Sequence, residues 1–248
     1  MKAPIVLLSD FGLSDAYVGV MKGVIQNLSP EIPVIDLCHN INPQNIKHAR
    51  AILSDNINYF NDKSIFCCVI DPEVGSARKA IAVASNNRIL IGPDNGLFSE
   101  FISNGNVFEL PTEIGISMTF HGRDIFAPWA AKLAIDRSKL HGLKILCEEN
   151  LTVLPTINME LDNTWQTLEI LYHDHFGNLI TNAIVTQRAI EVRMQDQTLP
   201  VFNHYSELPE NTLGVIIGSS NRVELSIKNG NAALSHSKII SIQARYTS

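Results

Sequence analysis

The sequence has no long apolar run, no basic block and few cysteines, and each shortage removes a class of function. Its 248 residues carry 19 Lys and Arg against 25 Asp and Glu, a formal charge of −6. With a pI near 5.7 and no Lys/Arg-rich stretch, the chain lacks the basic surface that a nucleic acid or an anionic membrane requires. Met1-Lys2-Ala3-Pro4 leads into the apolar run 5–8, too short for the core of a signal peptide, and no later stretch approaches a membrane span of roughly 20 residues. A cytoplasmic protein is the expectation. The four cysteines, Cys38, Cys67, Cys68 and Cys147, have no metal-ligand spacing, and adjacent Cys67 and Cys68 in a strand point to opposite faces. They read as reduced structural thiols. There is no P-loop, no G-x-G-x-x-G after a strand and no G-x-S-x-G elbow, so a polyphosphate finds no cradle. Internal repeats and low-complexity segments are also missing.

What is present is an ordinary globular composition. Hydrophobic residues at 45% and charged residues at 18% suffice for a full core in one large domain or two modest ones. Over residues 1–150, short β-type runs alternate with helical patterns. Residues 4–8, 33–37, 64–70, 80–84 and 88–91 read as strands, and 17–28, 45–60 and 125–135 as helices, with a short helix opening at Asp94-Asn95-Gly96. The run 64–70 is continuously apolar, as expected of a strand covered on both faces. This alternation predicts a layered α/β domain with a mostly parallel sheet. Over residues 151–248 helical periodicity fades. Strands at 167–172, 179–183, 189–192, 212–217, 222–227 and 238–246, punctuated by turns such as Phe176-Gly177-Asn178, predict a smaller antiparallel, barrel-like β domain.

Three polar motifs stand where apolar runs stop: Ser9-Asp10-Phe11-Gly12, Asp71-Pro72-Glu73-Val74-Gly75 leading to Arg78, and His121-Gly122-Arg123-Asp124. Ligands of open α/β sheets sit outside the carboxyl ends of the strands, so the three are candidates for one pocket. Asp10 suits either a ribose diol or a helix cap. Asp71 and Arg78 suit either a site or a buried ion pair. His121, between a phenylalanine and a glycine, suits a functional loop. His39, His48, His141, His204 and His236 read as incidental. In His173-Asp174-His175-Phe176-Gly177-Asn178 the two histidines would share a strand face but need a third ligand to make a catalytic zinc site. Asp174, Phe176 and Asn178 offer a carboxylate, an aromatic plate and an amide, which suit a purine nucleoside.

Together with Pro93-Asp94-Asn95-Gly96, Thr119-Phe120-His121-Gly122-Arg123-Asp124 and Asp174-x-Phe-Gly-Asn-x-Ile-Thr-Asn, these motifs resemble the S-adenosyl-L-methionine (SAM) hydroxide adenosyltransferase family, relatives of the fluorinase and chlorinase. The resemblance runs in order over nearly the whole chain, to Glu224 and residues 229–233. It implies an N-terminal α/β domain, a β-barrel-like C-terminal domain, and a homotrimer with sites between subunits. The implied reaction is SAM plus water giving adenosine and L-methionine, with SAM as substrate, no cofactor and no metal. On the family pattern the catalytic set falls on Asp71, Arg78 and His121, the ribose carboxylate on Asp10 and the adenine side on Asp174, Phe176 and Asn178. Further contacts to base and methionine fall on Ser219, Glu224 and Ile227. Glu73 departs from the pattern, standing where the family usually carries glycine. The halogenases resemble one another in replacing the aspartate of the Asp-Pro segment and lining a halide pocket, and the fluorinase adds a loop. Asp71 is kept here and the loop is not, so hydroxide is the expected nucleophile. Three other readings use the same residues: a halogenase, a non-catalytic adenosine or SAM sensor, and a metal hydrolase built on His173 and His175.

Overall fold

The computed structural model describes residues 2–112, 115–186, 189–195, 197–235 and 241–247. The chain divides into two compact units, 1–155 and 156–248.

The first unit is built on a seven-stranded sheet. In chain order its elements are β1 (Ile5–Ser9), α1 (Tyr17–Leu28), β2 (Val34–Cys38), α2 (Ile46–Asn56), β3 (Ile65–Val69), β4 (Ala80–Ser85), β5 (Arg88–Pro93), α3 (Ser99–Ile102), β6 (Gly105–Glu109), α4 (Ala127–Ile135) and β7 (Ile145–Leu146). Sheet order is β2-β1-β3-β5-β4-β6-β7. Side chains alternate across the strands and feed two cores. Ile5, Leu7, Ile65, Cys67 and Val69 pack under α1 and α4 with Val18, Met21, Ile25 and Ala130. Val6, Leu8, Phe66, Cys68 and Ile70 pack on the other face with Ala49, Leu53 and Phe98. Cys67 and Cys68 therefore sit on opposite faces, and burial pushes the Cys67 thiol up to about 12.

The expected mostly parallel sheet needs correction. β1 pairs with β2 and β3 in parallel, and β3 with β5. The pairs β4–β5, β4–β6 and β6–β7 are antiparallel. The cause is local. Asn86 and Asn87 both take positive φ, 48° and 63°, and such a two-residue turn joins only antiparallel strands. The long second helix is also shorter than its periodicity suggests: α2 stops at Asn56 and a 3-10 turn, Ile57–Tyr59, follows. Asn45 caps α2, its Oδ1 accepting from His48 N at 2.9 Å.

The second unit contains β8 (Met159–Glu160), β9 (Gln166–Leu168), β10 (Ile170–His173), β11 (Leu179–Ile184), β12 (Ile190–Met194), β13 (Gln197–Leu199), β14 (Val201–Phe202), β15 (Leu213–Ile217), β16 (Arg222–Ile227), α5 (Ala232–Ser235) and β17 (Ile242–Tyr246). Among the described residues these form two sheets, β10-β11-β16-β15-β14 with β8 against β11, and β13-β12-β17-β9, and no closed barrel. The pairs β8–β11 and β14–β15 are parallel, against the antiparallel expectation. One expected strand, 167–172, is two. Glu169 donates its N–H to Asn182 Oδ1 at 2.9 Å and its carbonyl accepts from Asn182 N at 2.9 Å. Bonding locally there, the chain passes from one sheet to the other. The first residues of the expected strand 238–246, and His236, lie outside the described residues. A core of Leu179, Val192, Val215, Val223, Leu225 and Ala244 fills the unit. Among the described residues no helix is long and apolar enough to cross a membrane.

Candidate active site

In the first unit the site grows from strand ends. β1 and β3 are parallel neighbours with Ser9 opposite Val69, so Asp10 and Asp71 leave the sheet side by side at its carboxyl edge. Beyond β3 the loop 71–79 turns back at Gly75, whose φ is +82° and whose added Cβ would lie 2.5 Å from the Met118 carbonyl oxygen. Only a glycine lets this loop pass so close to the segment that ends in His121. His121 precedes a π-helical turn, Gly122–Phe126, that runs into α4; such turns recur at functional sites.

The close approach brings Asp71, Arg78 and His121 together. Arg78 Nε donates to Asp71 Oδ1 at 3.0 Å, and its Nη2 donates to Asp71 Oδ2, a bidentate pair. The same Nη2 donates to His121 Nδ1 at 2.5 Å. The Phe126 ring lies 5.3 Å below the guanidinium. The Asp71 and Arg78 side chains are each 5% exposed, and His121 is 6% exposed.

These directions fix the imidazole's protons. A guanidinium only donates, so Nδ1 must accept and the ring proton sits on Nε2. Burial, and then the Arg78 charge, hold the His121 pKa below the usual imidazole range, against opposite pulls from Asp71 and Asp124. The ring is thus neutral at neutral pH. Its Nε2 is buried and has no hydrogen-bond partner among the described residues. A buried donor left unpaired costs about 1–3 kcal/mol, so the Nε2–H is a ready donor to a polar group of a substrate. Arg78 and His121 line a cavity of about 700 Å³ with Ser76, Lys79, Met118 and Lys144.

Asp10 accepts from Gln44 N through Oδ2 at 2.7 Å, which leaves Oδ1 for a ligand. It caps no helix, because α1 begins seven residues later and has no side-chain cap. Phe11, Tyr17 and Phe120 form an aromatic trio, with centroids 5.4, 6.0 and 5.1 Å apart, that ties the Asp10 turn to the His121 segment.

In the second unit Asp174, Phe176 and Asn178 form one turn between β10 and β11. Asp174 Oδ1 accepts from Phe176 N at 2.9 Å and Asn178 N at 2.8 Å, and Oδ2 accepts from Asn178 Nδ2 at 2.8 Å. Its carboxylate shapes the turn. Phe176 is 69% exposed and presents its ring to solvent. Ile227 is buried at the end of β16, on the same side as this turn, because Leu179 pairs with Leu225. Ser219 lies elsewhere. Its hairpin adjoins the far end of β11, where Val185 N donates to Asn221 O at 2.8 Å, roughly 17–20 Å along the strand at about 3.3 Å per residue. Glu224 folds back to that end, its Oε1 lying 1.7 Å from where a Cβ on Gly218 would be. Ser219 and Asn221 line a separate cavity of about 480 Å³. His173 ends β10 and His175 follows in the turn; among the described residues no group of three His, Cys, Asp or Glu side chains could hold a metal.

His39 and His48, which the sequence alone presents as incidental, are both buried. His48 Nδ1 accepts from Asn42 N at 3.2 Å, and His39 contacts Ser9, next to Asp10, at 2.6 Å. The only signal for His39 in the sequence is its place just beyond a strand end.

Residues 5–143 match the family described as SAM hydroxide adenosyltransferase N-terminal domain, and residues 168–237 the corresponding C-terminal domain. An (R)-S-adenosyl-L-methionine hydrolase of Thermus thermophilus is 33% identical over 243 residues, covering 92% of this chain and 93% of that one. A protein of the same name from Salinispora arenicola is 31% identical over 236 residues, 91% of this chain and 90% of that one. The crystal structure of an uncharacterized conserved protein from Thermotoga maritima superposes with a TM-score of 0.83 at 28% identity, covering 97% of this chain and 99% of that one.

Proposed function

The chain belongs to the SAM hydroxide adenosyltransferase family, and we propose from that premise that it hydrolyses SAM to adenosine and L-methionine. One observation carries the chemistry: a buried, neutral His121 with an unpartnered Nε2–H, held against an arginine that a carboxylate orients. Such a pair of donors suits an oxygen on which negative charge develops.

The substrate's sulfonium is already a good leaving group, so departure needs no acid. A water oxygen attacks C5′, the C5′–S electron pair goes to sulfur, methionine leaves as a neutral thioether, and one proton is released. Arg78 and His121 Nε2–H hold the attacking water and stabilise its hydroxide character. Asp71 keeps the guanidinium in plane. A histidine beside an attacking water is commonly the base that takes its proton. With Nδ1 taken by Arg78 and Nε2 protonated, the role of His121 here is donor, and the proton passes to solvent. Fixing the water in line behind C5′ can lower the barrier by roughly 7–11 kcal/mol in favourable cases. Asp10 takes the ribose diol through Oδ1, and the exposed Phe176 ring with Asn178 takes the adenine. Asp174 contributes by shaping that turn and Ile227 stands on its side of β16, while Ser219 and Glu224, which the family pattern assigns to the base and methionine, stand at the other end of β11. The reading calls for no metal and no cofactor, and includes a cytoplasmic homotrimer with sites between subunits, as the family resemblance implies.

The test is incubation of chelator-treated protein with SAM in halide-free buffer, with chromatography of the products. Stoichiometric adenosine and methionine, abolished in Arg78→Ala, are expected. Tight adenosine binding without product would replace the hydrolase by a sensor. Halide-dependent 5′-halo-adenosine would replace it by a halogenase, and loss of activity with chelator by a metal hydrolase.

A further inference from the structure

β1 and β2 run in parallel register from Ile5 opposite Val34 to Leu7 opposite Asp36, and then the register slips so that Leu8 meets Cys38. This bulge brings His39 beside Ser9. Bulges of this kind re-aim side chains next to active sites. Ser9 Oγ lies 2.6 Å from His39 Nδ1, and His39 Nε2 lies 3.0 Å from Asp36 Oδ1. Lys22 Nζ donates to Asp36 Oδ2 at 2.6 Å. Ser9 is 2% and His39 5% exposed.

The hydrogen-bond directions follow from chemistry. Burial raises the Asp36 pKa, but hydrogen bonds from Lys22 and His39 outweigh it and hold the carboxyl below its ordinary value. An ionised carboxylate only accepts, so Nε2 donates to it, and Nδ1 is left to pair with the Ser9 hydroxyl. Serine, histidine and aspartate in a row suggest a nucleophile relay. Here the hydroxyl is buried and committed to the ring, which leaves it no substrate to attack.

Two more bonds grip the same turn. The His39 carbonyl accepts from Gly12 N at 2.8 Å, and Gln44 N donates to Asp10 Oδ2 at 2.7 Å. The exit of β2 thus holds residues 9, 10 and 12 of the exit of β1.

We propose that His39 is a positioning residue for substrate binding, bracing the β1 exit through Ser9 and Asp36 so that Asp10 Oδ1 meets the ribose at a fixed place. The inference rests on the reading of Asp10 as the ribose carboxylate. Ser9 and His39 do not touch the reacting atoms, so their loss acts on affinity.

The experiment compares Ser9→Ala, His39→Ala and Asp10→Ala with the parent for KM and kcat with SAM, adenosine Kd by calorimetry, and Tm. In Ser9→Ala and His39→Ala, KM and adenosine Kd should rise about tenfold while kcat stays within about threefold, the pattern of lost uniform binding. A merely structural role lowers the folded fraction, which reduces apparent kcat and leaves KM alone. Unchanged KM and Kd in both, with Asp10→Ala still weakening adenosine, overturns the brace and spares the ribose reading. Unchanged Kd in Asp10→Ala overturns the ribose reading and the brace with it. Should His39→Ala fail to fold, Ser9→Ala, which removes a single hydroxyl, carries the test.

Discussion

Arg78 divides its donors among three neighbours across one plane, a geometry that a lysine lacks. Its Nε and Nη2 bind Asp71 in parallel, Nη2 also reaches His121, and Nη1 lies 3.5 Å from the Lys79 carbonyl. A lysine keeps the charge but offers one point of contact, so it cannot hold both partners in plane. Arg78→Lys should therefore lower turnover about 10²–10³-fold, the size of losing one donor to a developing oxyanion. Adenosine affinity should stay within about threefold of the parent. Retained turnover would remove the guanidinium from the chemistry. His121 sets a pH dependence of definite sign. Its pKa is lowered by burial and then by Arg78, so the neutral ring persists below the pH at which an ordinary imidazole, near 6.5, is half protonated. Protonation below that point puts a second cation on Arg78 and removes the Nδ1 acceptor. Activity should hold to mildly acidic pH and fall beyond, and His121→Gln should lack that acid limb. A kcat–pH profile with its midpoint at or above the ordinary imidazole value would contradict this.

At the scale of elements, catalysis depends on two loops kept in contact. Gly75→Ala places a Cβ 2.5 Å from the Met118 carbonyl at φ +82°, a backbone conformation that L-residues adopt only with strain. The 71–79 loop and the His121 segment must then separate. The expected result is a kcat loss of about tenfold or more with adenosine affinity preserved, read by steady-state kinetics and calorimetry; a parent-like kcat would show that the contact is dispensable. This contact is invisible to local sequence patterns, although its members are not. Asp71, Arg78 and His121 stand out in the sequence because they belong to polar motifs, the first of which closes the apolar run 64–70. That Gly75 meets residue 118 depends on the packing of segments more than forty positions apart. The same distinction runs through the fold. Strands β1, β3 and β5 were legible as apolar runs, while the reversal of β4 rests on the two positive φ values at Asn86 and Asn87, which the strand pattern does not announce. The bulge that delivers His39 leaves no mark on composition or period. In the second unit most of the strands were legible from alternation and turn residues. Whether they close into a barrel is set by non-consecutive pairings such as β11 with β16 and β12 with β17, which no short window encodes.

For the whole molecule, charge is the property that sequence and function share most directly. The proposed substrate carries a sulfonium, an ammonium and a carboxylate at neutral pH, a net positive charge, and must approach a site that contains an arginine. Locally the arginine is offset: Asp71 neutralises Arg78 across a bidentate pair, and Asp10 adds an anion nearby. Globally the chain has a formal charge of −6, whose field attracts a cation at low ionic strength and is screened as salt rises. Adenosine is neutral and feels neither effect. Raising ionic strength from about 0.01 M to about 1 M shortens the Debye length from roughly 30 Å to 3 Å. Over that range kcat/KM for SAM should fall several-fold while adenosine Kd stays constant. A parallel loss in both would point to salt acting on the fold. A flat kcat/KM would mean that the acidic surface takes no part in substrate capture, leaving Asp10 and the offset Arg78 to admit the cation unaided.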